Sequence, residues 1–108
     1  MIETKQALDH LDDILSVEGL DAVYIGPSDL SLSLGCRPVL DDVDAPAAQA
    51  IAHILARAKA HGVRAAVHNL SPAVAKARAA MGFDLVTVSS DARILSAGSQ
   101  ELLKAMRA

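Results

Sequence analysis

Two carboxylates in this chain stand where an apolar run stops. Glu3 closes Met1-Ile2-Glu3-Thr4, and Asp29 follows Asp21-Ala22-Val23-Tyr24-Ile25 and the turn Gly26-Pro27-Ser28. If the two runs are neighbouring parallel strands, which lie about 5 Å apart, both acids emerge at one rim and can hold a single cation between them. Two hard carboxylate oxygens, with water in the remaining positions, suit Mg²⁺, Mn²⁺ or Co²⁺ and not a thiolate-seeking metal. Pro27-Ser28-Asp29 also suits the start of a helix whose free N–H groups would point toward the metal site, a natural seat for a substrate carboxylate, and Gly26 lets a ligand approach the backbone. An isolated Glu or Asp before a helix is more often a solvated cap. The pairing is what carries the chemistry.

The elements that must position this pair are built from a narrow palette. The chain has 108 residues, enough for one domain, and is 52% hydrophobic but only 2% aromatic, so its core is made of Ala, Val, Ile and Leu. That composition suits helices packed on parallel strands. A net charge of -3 with scattered basic residues excludes the footprint of a nucleic-acid binder. The single Cys36 excludes an internal disulfide and any multi-cysteine metal site. No apolar run approaches the roughly 20 residues that span a bilayer, and no cleavable leader opens the chain. The expectation is a soluble, cytoplasmic protein with no membrane partner.

Periodicity divides the chain into repeating units. Ala7, Leu8, Leu11, Ile14 and Leu15 mark one face of an amphipathic helix over Thr4 to Val17, stopped by Gly19. Asp21 to Ile25 suits a buried parallel strand ending at Gly26. Leu30-Ser31-Leu32-Ser33-Leu34 alternates like a strand, yet Pro27-Ser28 starts helices equally well, and periodicity leaves both open. Asp44 and Pro46 open a long helix that Gly62 ends. Val63 to Val67 is a strand; Ser71-Pro72 opens the next helix, which Gly82 ends. Phe83 to Val88 is the clearest strand, and a last helix runs from about Ala92 to Met106, interrupted by Gly98. The order amounts to four βα units, counting a truncated first strand. The fold class is therefore α/β; a complete TIM (β/α)₈ barrel needs roughly 250 residues, so the chain would supply about half of one, whereas an open flavodoxin-like sheet would have to be unusually small.

Met1-Ile2-Glu3-Thr4, Leu11-Asp12-Asp13-Ile14-Leu15, Gly19 through Ser31 with its Gly-Pro-Ser-Asp-Leu-Ser, and Gly82 through Asp91 closely resemble the HpcH/HpaI aldolase family. The resemblance implies a partial aldolase domain over residues 1–108, the C-terminal half of the family's TIM (β/α)₈ barrel with about four βα units. It implies a metal-dependent pyruvate aldolase that cleaves 4-hydroxy-2-oxo acids to pyruvate and an aldehyde. By position, Glu3 and Asp29 match the two metal ligands, and the Ser28 and Asp29 amides beside Gly26 match the pyruvate contacts. His68 falls where the family contacts the aldehyde, often with an apolar residue; a histidine there could select a polar aldehyde or simply hydrogen-bond a loop. His10, His53 and His61 are expected at the surface. Ser89 stands where the family often has glycine, and Asp91 is expected to cap a helix.

The resemblance also marks what this chain lacks. The histidine and acidic partner used for proton transfer, and the arginine that holds the keto acid, belong to the other half. Arg37, on a loop, and Arg64, early in its strand, are no substitutes. A half-barrel with open edges is expected to associate, as a homo-oligomer or with a complementary half, and to be inactive alone. Two other readings are an acyl-CoA lyase of citrate-lyase-beta type and a noncatalytic assembly module. In the latter, the last helix, with Ile94, Leu95, Leu102 and Leu103, either docks on a partner subunit or covers its own sheet.

Overall fold

The computed structural model describes residues 1–108. Three parallel strands, β1 (Ala22–Ile25), β2 (Arg64–Asn69) and β3 (Leu85–Val88), form a sheet in the order β1-β2-β3. The fourth expected strand is reduced to one parallel bridge from Ile2 to Ile25, with the Ile2 N–H donating to the Tyr24 carbonyl at 2.8 Å. Ile2 is nevertheless only 1% exposed, so this single residue is fixed as firmly as the strands beside it.

Helices α1 (Lys5–Asp9), α2 (Leu11–Leu15), α3 (Pro27–Ser33), α4 (Ala45–Ala60), α5 (Pro72–Met81) and α6 (Asp91–Arg107) complete the chain. The helix expected over Thr4 to Val17 is two helices, broken at His10 (φ -105°, ψ 21°). Helix α2 buries Leu11 and Leu15, while α1 buries no residue fully and packs only the half-buried Ala7 and Leu8 against the core. The ambiguous Leu30 to Leu34 segment is helical. Pro27 occupies its first turn and Leu30 and Ser31 are buried, whereas Leu32 faces solvent, so the alternation of leucines is incidental.

The register pairs Ile25 with Val67 and Val67 with Val86. With side chains alternating across a strand, Val23, Ile25, Ala65 and Val67 lie on the face that meets α4, where Ile51, Ile54 and Leu55 complete the core. Tyr24, Ala66, His68 and Thr87 share the opposite face. Glycine ends α5 at Gly82, whose φ of 107° an L-residue would resist. Two expected caps differ in detail. Asp44 precedes α4 but spends its carboxylate on Arg37, at 2.9 Å from Nε and 2.7 Å from Nη2. Ser90, not Asp91, caps α6 by accepting from the Arg93 N–H.

Helix α6 does not cover its own sheet. No residue of it is buried, and Ile94, Leu95, Leu102, Leu103 and Met106 are all exposed. Projecting helix and sheet give the molecule a 56 Å long axis. No helix is long and apolar enough to cross a membrane.

Candidate active site at the C-terminal rim

A cavity of about 240 Å³ is lined by Glu3, Gly26, Ser28, Asp29 and His68, all five site residues singled out from the sequence. Their convergence follows from parallel strands that end on one side. Glu3 follows the Ile2 bridge, Gly26 to Asp29 carry β1 into α3, and His68 lies one residue before the end of β2. Tyr24 and Leu40 add walls that sequence reasoning had not assigned.

Gly26 has a more specific role than approach of a ligand. A Cβ at this position would stand 2.9 Å from Glu3 Oε2 and 3.4 Å from Glu3 Cβ. The missing side chain is therefore the space in which the Glu3 carboxylate sits. Two carboxylates facing one cavity fit a hard divalent cation whose remaining positions go to water and substrate oxygens.

His68 is fixed by neighbours across the sheet. Its Nδ1 lies 2.8 Å from Thr87 Oγ1, and the Tyr24 hydroxyl lies 2.7 Å from the same oxygen. Thr87 has one proton to give and two lone pairs, so it donates to at most one of the two and accepts from the other or from both; each arrangement holds the imidazole plane. The remaining nitrogen, Nε2, has no partner in this chain. The link was foreshadowed by parity, since Thr87 pairs with His68 in the register and shares its face. A second cavity of about 490 Å³ adjoins the first through Ser28, Leu40 and His68 and extends to Asp42 and Arg93.

The other candidates fall outside. Arg37 is folded back on Asp44, whose carboxylate raises the guanidinium's affinity for its proton. Arg64 is the first residue of β2, at the end of the strand away from the rim. His10 and His53 are exposed, while His61 is half-buried, 3.1 Å from Asp12 Oδ1. Arg57 also binds that oxygen, at 2.8 Å, and together the two hold Asp12 below the usual carboxylate range. This cluster joins α2 to α4 on the side remote from the cavity. Ser89 adopts φ 61°, the left-handed region where glycine is at ease, and its N–H donates to the Asn69 carbonyl at 2.8 Å.

Fold and site define a class: a fragment of a parallel α/β barrel that presents paired acids at the ends of adjacent strands, where barrel active sites lie. The profile of the HpcH/HpaI aldolase/citrate lyase family matches residues 1–96, and the chain belongs to this family. It is 44% identical over 108 residues to the hydroxypyruvate/pyruvate aldolase of Rhizorhabdus wittichii, covering 100% of this chain and 43% of that protein. It is 38% identical to the 5-keto-4-deoxy-D-glucarate aldolase of Citrobacter koseri, covering 98% of this chain and 40% of that protein. The crystal structure of an HpcH/HpaI aldolase/citrate lyase family protein from Burkholderia cenocepacia superposes with a TM-score of 0.86 at 28% identity. That match covers 99% of this chain and 41% of the other. The chain thus spans less than half the length of these relatives.

Proposed function

We propose that residues 1–108 form the C-terminal half of a divalent-metal-dependent pyruvate aldolase that cleaves 4-hydroxy-2-oxo acids to pyruvate and an aldehyde. The observation that carries this reading is the single cavity shared by Glu3, Gly26, Ser28, Asp29 and His68. Glu3 and Asp29 would hold Mg²⁺, Mn²⁺ or Co²⁺, which when bound supplies Lewis-acid polarisation of a 2-oxo acid's keto group. The chain's own residues orient and enclose. Gly26 leaves room for the Glu3 carboxylate, Ser28 offers its amide and hydroxyl to the oxo acid, and His68 faces the aldehyde portion with Nε2. Burial of this surface against a complementary half would exclude water and strengthen each of these contacts.

The acid–base histidine and the arginine that holds the oxo acid would come from the other half. Alone, the chain binds metal without turnover. The exposed β3, with Leu85 57% exposed, and the bare α6 support assembly, including a homo-oligomer. The test is a fusion that places the N-terminal portion of the Rhizorhabdus wittichii aldolase ahead of Met1. Metal-dependent pyruvate release from a 4-hydroxy-2-oxo acid by the fusion, lost in Glu3→Gln and Asp29→Asn, is expected. Metal-dependent release by the 108-residue chain alone would show that the missing groups are not needed. A folded fusion active only on acyl-CoA thioesters would overturn the aldolase assignment.

A further inference from the structure

Three polar residues that no sequence pattern marked form a junction beside the cavity, Arg78 and Asn69 buried and Asp41 half-buried. Arg78, on α5, is only 6% exposed. Its Nη1 donates to the His68 carbonyl at 3.0 Å and to Asn69 Oδ1 at 2.7 Å, and its Nη2 donates to the Leu40 carbonyl at 3.2 Å. Asn69, fully buried, donates through Nδ2 to the carbonyls of Val67 and Thr87, at 3.1 and 3.0 Å. From the loop side, the Asp41 carboxylate accepts from the N–H groups of Leu70 and Ser71, at 2.9 and 2.8 Å.

The arrangement is costly for a purely structural contact. Burying a guanidinium carries a desolvation penalty that an apolar side chain of similar volume avoids. What an apolar side chain could not do is hold three oxygens from two separate stretches of chain in a fixed relation. Those stretches are the loop between α3 and α4 and the end of β2. The loop's ion pair, Arg37 with Asp44, closes the loop on itself and does not reach β2. Leu40 and His68, whose carbonyls Arg78 grips, both line the 240 Å³ cavity and its 490 Å³ neighbour.

We propose that Arg78 and Asp41 are positioning residues. They fasten the α3–α4 loop to the end of β2, through Arg78, and to the β2–α5 connection, through Asp41, and fix Leu40 and His68 as walls of the substrate cavity, so setting the size of aldehyde it admits. The assignment to an aldehyde rests on the function proposed above; the fastening does not.

The experiment uses the full chain with Arg78→Met, Arg78→Lys and Asp41→Asn, and with Ile51→Val as a core variant in α4 away from the junction. Amide hydrogen exchange at Leu70 and Ser71 is compared with that at Val67, and the order of the Leu40 methyl groups is measured by NMR. Arg78→Met and Asp41→Asn are expected to speed exchange at Leu70 and Ser71 by about tenfold beyond the change at Val67, and to loosen Leu40. Arg78→Lys should restore part of the protection, because an ammonium reaches some of the carbonyls but lacks the planar fork. Ile51→Val should move all three amides alike. In the fusion, the same variants should narrow the ratio of kcat/KM between short and long aldehydes. Exchange of the pyruvate methyl protons, which needs no aldehyde, should persist. Exchange at Leu70 and Ser71 that merely follows Val67 would overturn the fastening. Loosened amides with an unaltered aldehyde ratio would overturn the role in selection. No pyruvate exchange by the unsubstituted fusion would overturn the proposed function and the aldehyde assignment together, while the amide data would still decide the fastening.

Discussion

The two longest helices, α4 and α6, have 16 and 17 residues and opposite fates. Helix α4 buries six residues, among them Ile54 and Ala58 at 0% exposure, against the face of the sheet that carries Ile25 and Val67. Helix α6 carries an apolar set of its own and buries none of it. An apolar stripe is thus a demand for a partner and does not name the partner. The same division runs through the sheet. Its α4 side is closed and supplies stability, whereas the side bearing Tyr24, His68 and Thr87 is open and carries the candidate site.

The largest expected effect is on the closed side. Ile54→Ala should cost about 2 to 5 kcal/mol, a large share of the roughly 5 to 15 kcal/mol that holds a domain of this size. Chemical denaturation would measure it. Leu102→Ala on α6 should change monomer stability by less than about 0.5 kcal/mol while weakening association in light scattering. Equal costs in the monomer would erase the distinction between the two helices.

Next in size is metal affinity on the open side. Glu3→Gln and Asp29→Asn should each weaken Mn²⁺ binding by at least about tenfold, about 1.4 kcal/mol, with little change in denaturation midpoint. Gly26→Ala sharpens the test because it leaves both acids intact. Its methyl group would lie 2.9 Å from Glu3 Oε2, so it should weaken binding by displacing the carboxylate. Unchanged titration in all three variants would remove the metal site from the open side.

Acid should loosen the junction between the two sides. Burial pushes Asp41 up, but the N–H of Leu70, the Ser71 hydroxyl and N–H, and Arg78 outweigh it and hold the carboxyl below its ordinary 3.8. A folded carboxyl that binds its proton more weakly than the unfolded one contributes stability above that ordinary value. The contribution is lost as pH falls from 3.8 through the lower folded value. Asp12 and Asp44 shift in the same direction on the surface, so the comparison is with Asp41→Asn. The variant should show a shallower acid loss of stability than the parent. Parallel curves would mean that Asp41 contributes nothing to the acid response.

The sequence made the closed side legible because period and punctuation are local. Glycine and proline bounded the elements, and apolar spacing placed Ile51, Ile54 and Leu55 inward. The site was legible for a different reason: in a parallel sheet every strand ends on the same side, so strand-end residues such as Glu3, Asp29 and His68 must converge. Arg78 was illegible because it lies within an alanine-rich helix turn, where a basic residue ordinarily marks the solvent face. Its burial depends on a loop 38 residues away in the chain. The state of α6 was equally hidden, since its pattern is the same whether it covers its own sheet or another surface.

Ser89 gives the smallest and most local test of that boundary between pattern and context. It links β3 to α6, the point where the closed scaffold gives way to the bare helix, and its φ of 61° is one L-residues avoid. The strained turn is retained by the Ser89 N–H bond to the Asn69 carbonyl, which ties β3 to the end of β2. Glycine adopts this conformation without a Cβ penalty but is more flexible when unfolded, so the two effects oppose each other. Relief of left-handed strain is worth about 1 to 2 kcal/mol and the added chain entropy costs about 0.4 to 1 kcal/mol. Ser89→Gly should therefore stabilise the chain slightly, by about 0.5 kcal/mol on these magnitudes. Denaturation measured beside Ser89→Ala separates the causes, because alanine removes the hydroxyl and keeps the strain. A gain in alanine equal to that in glycine would assign the effect to the hydroxyl and leave the turn unstrained.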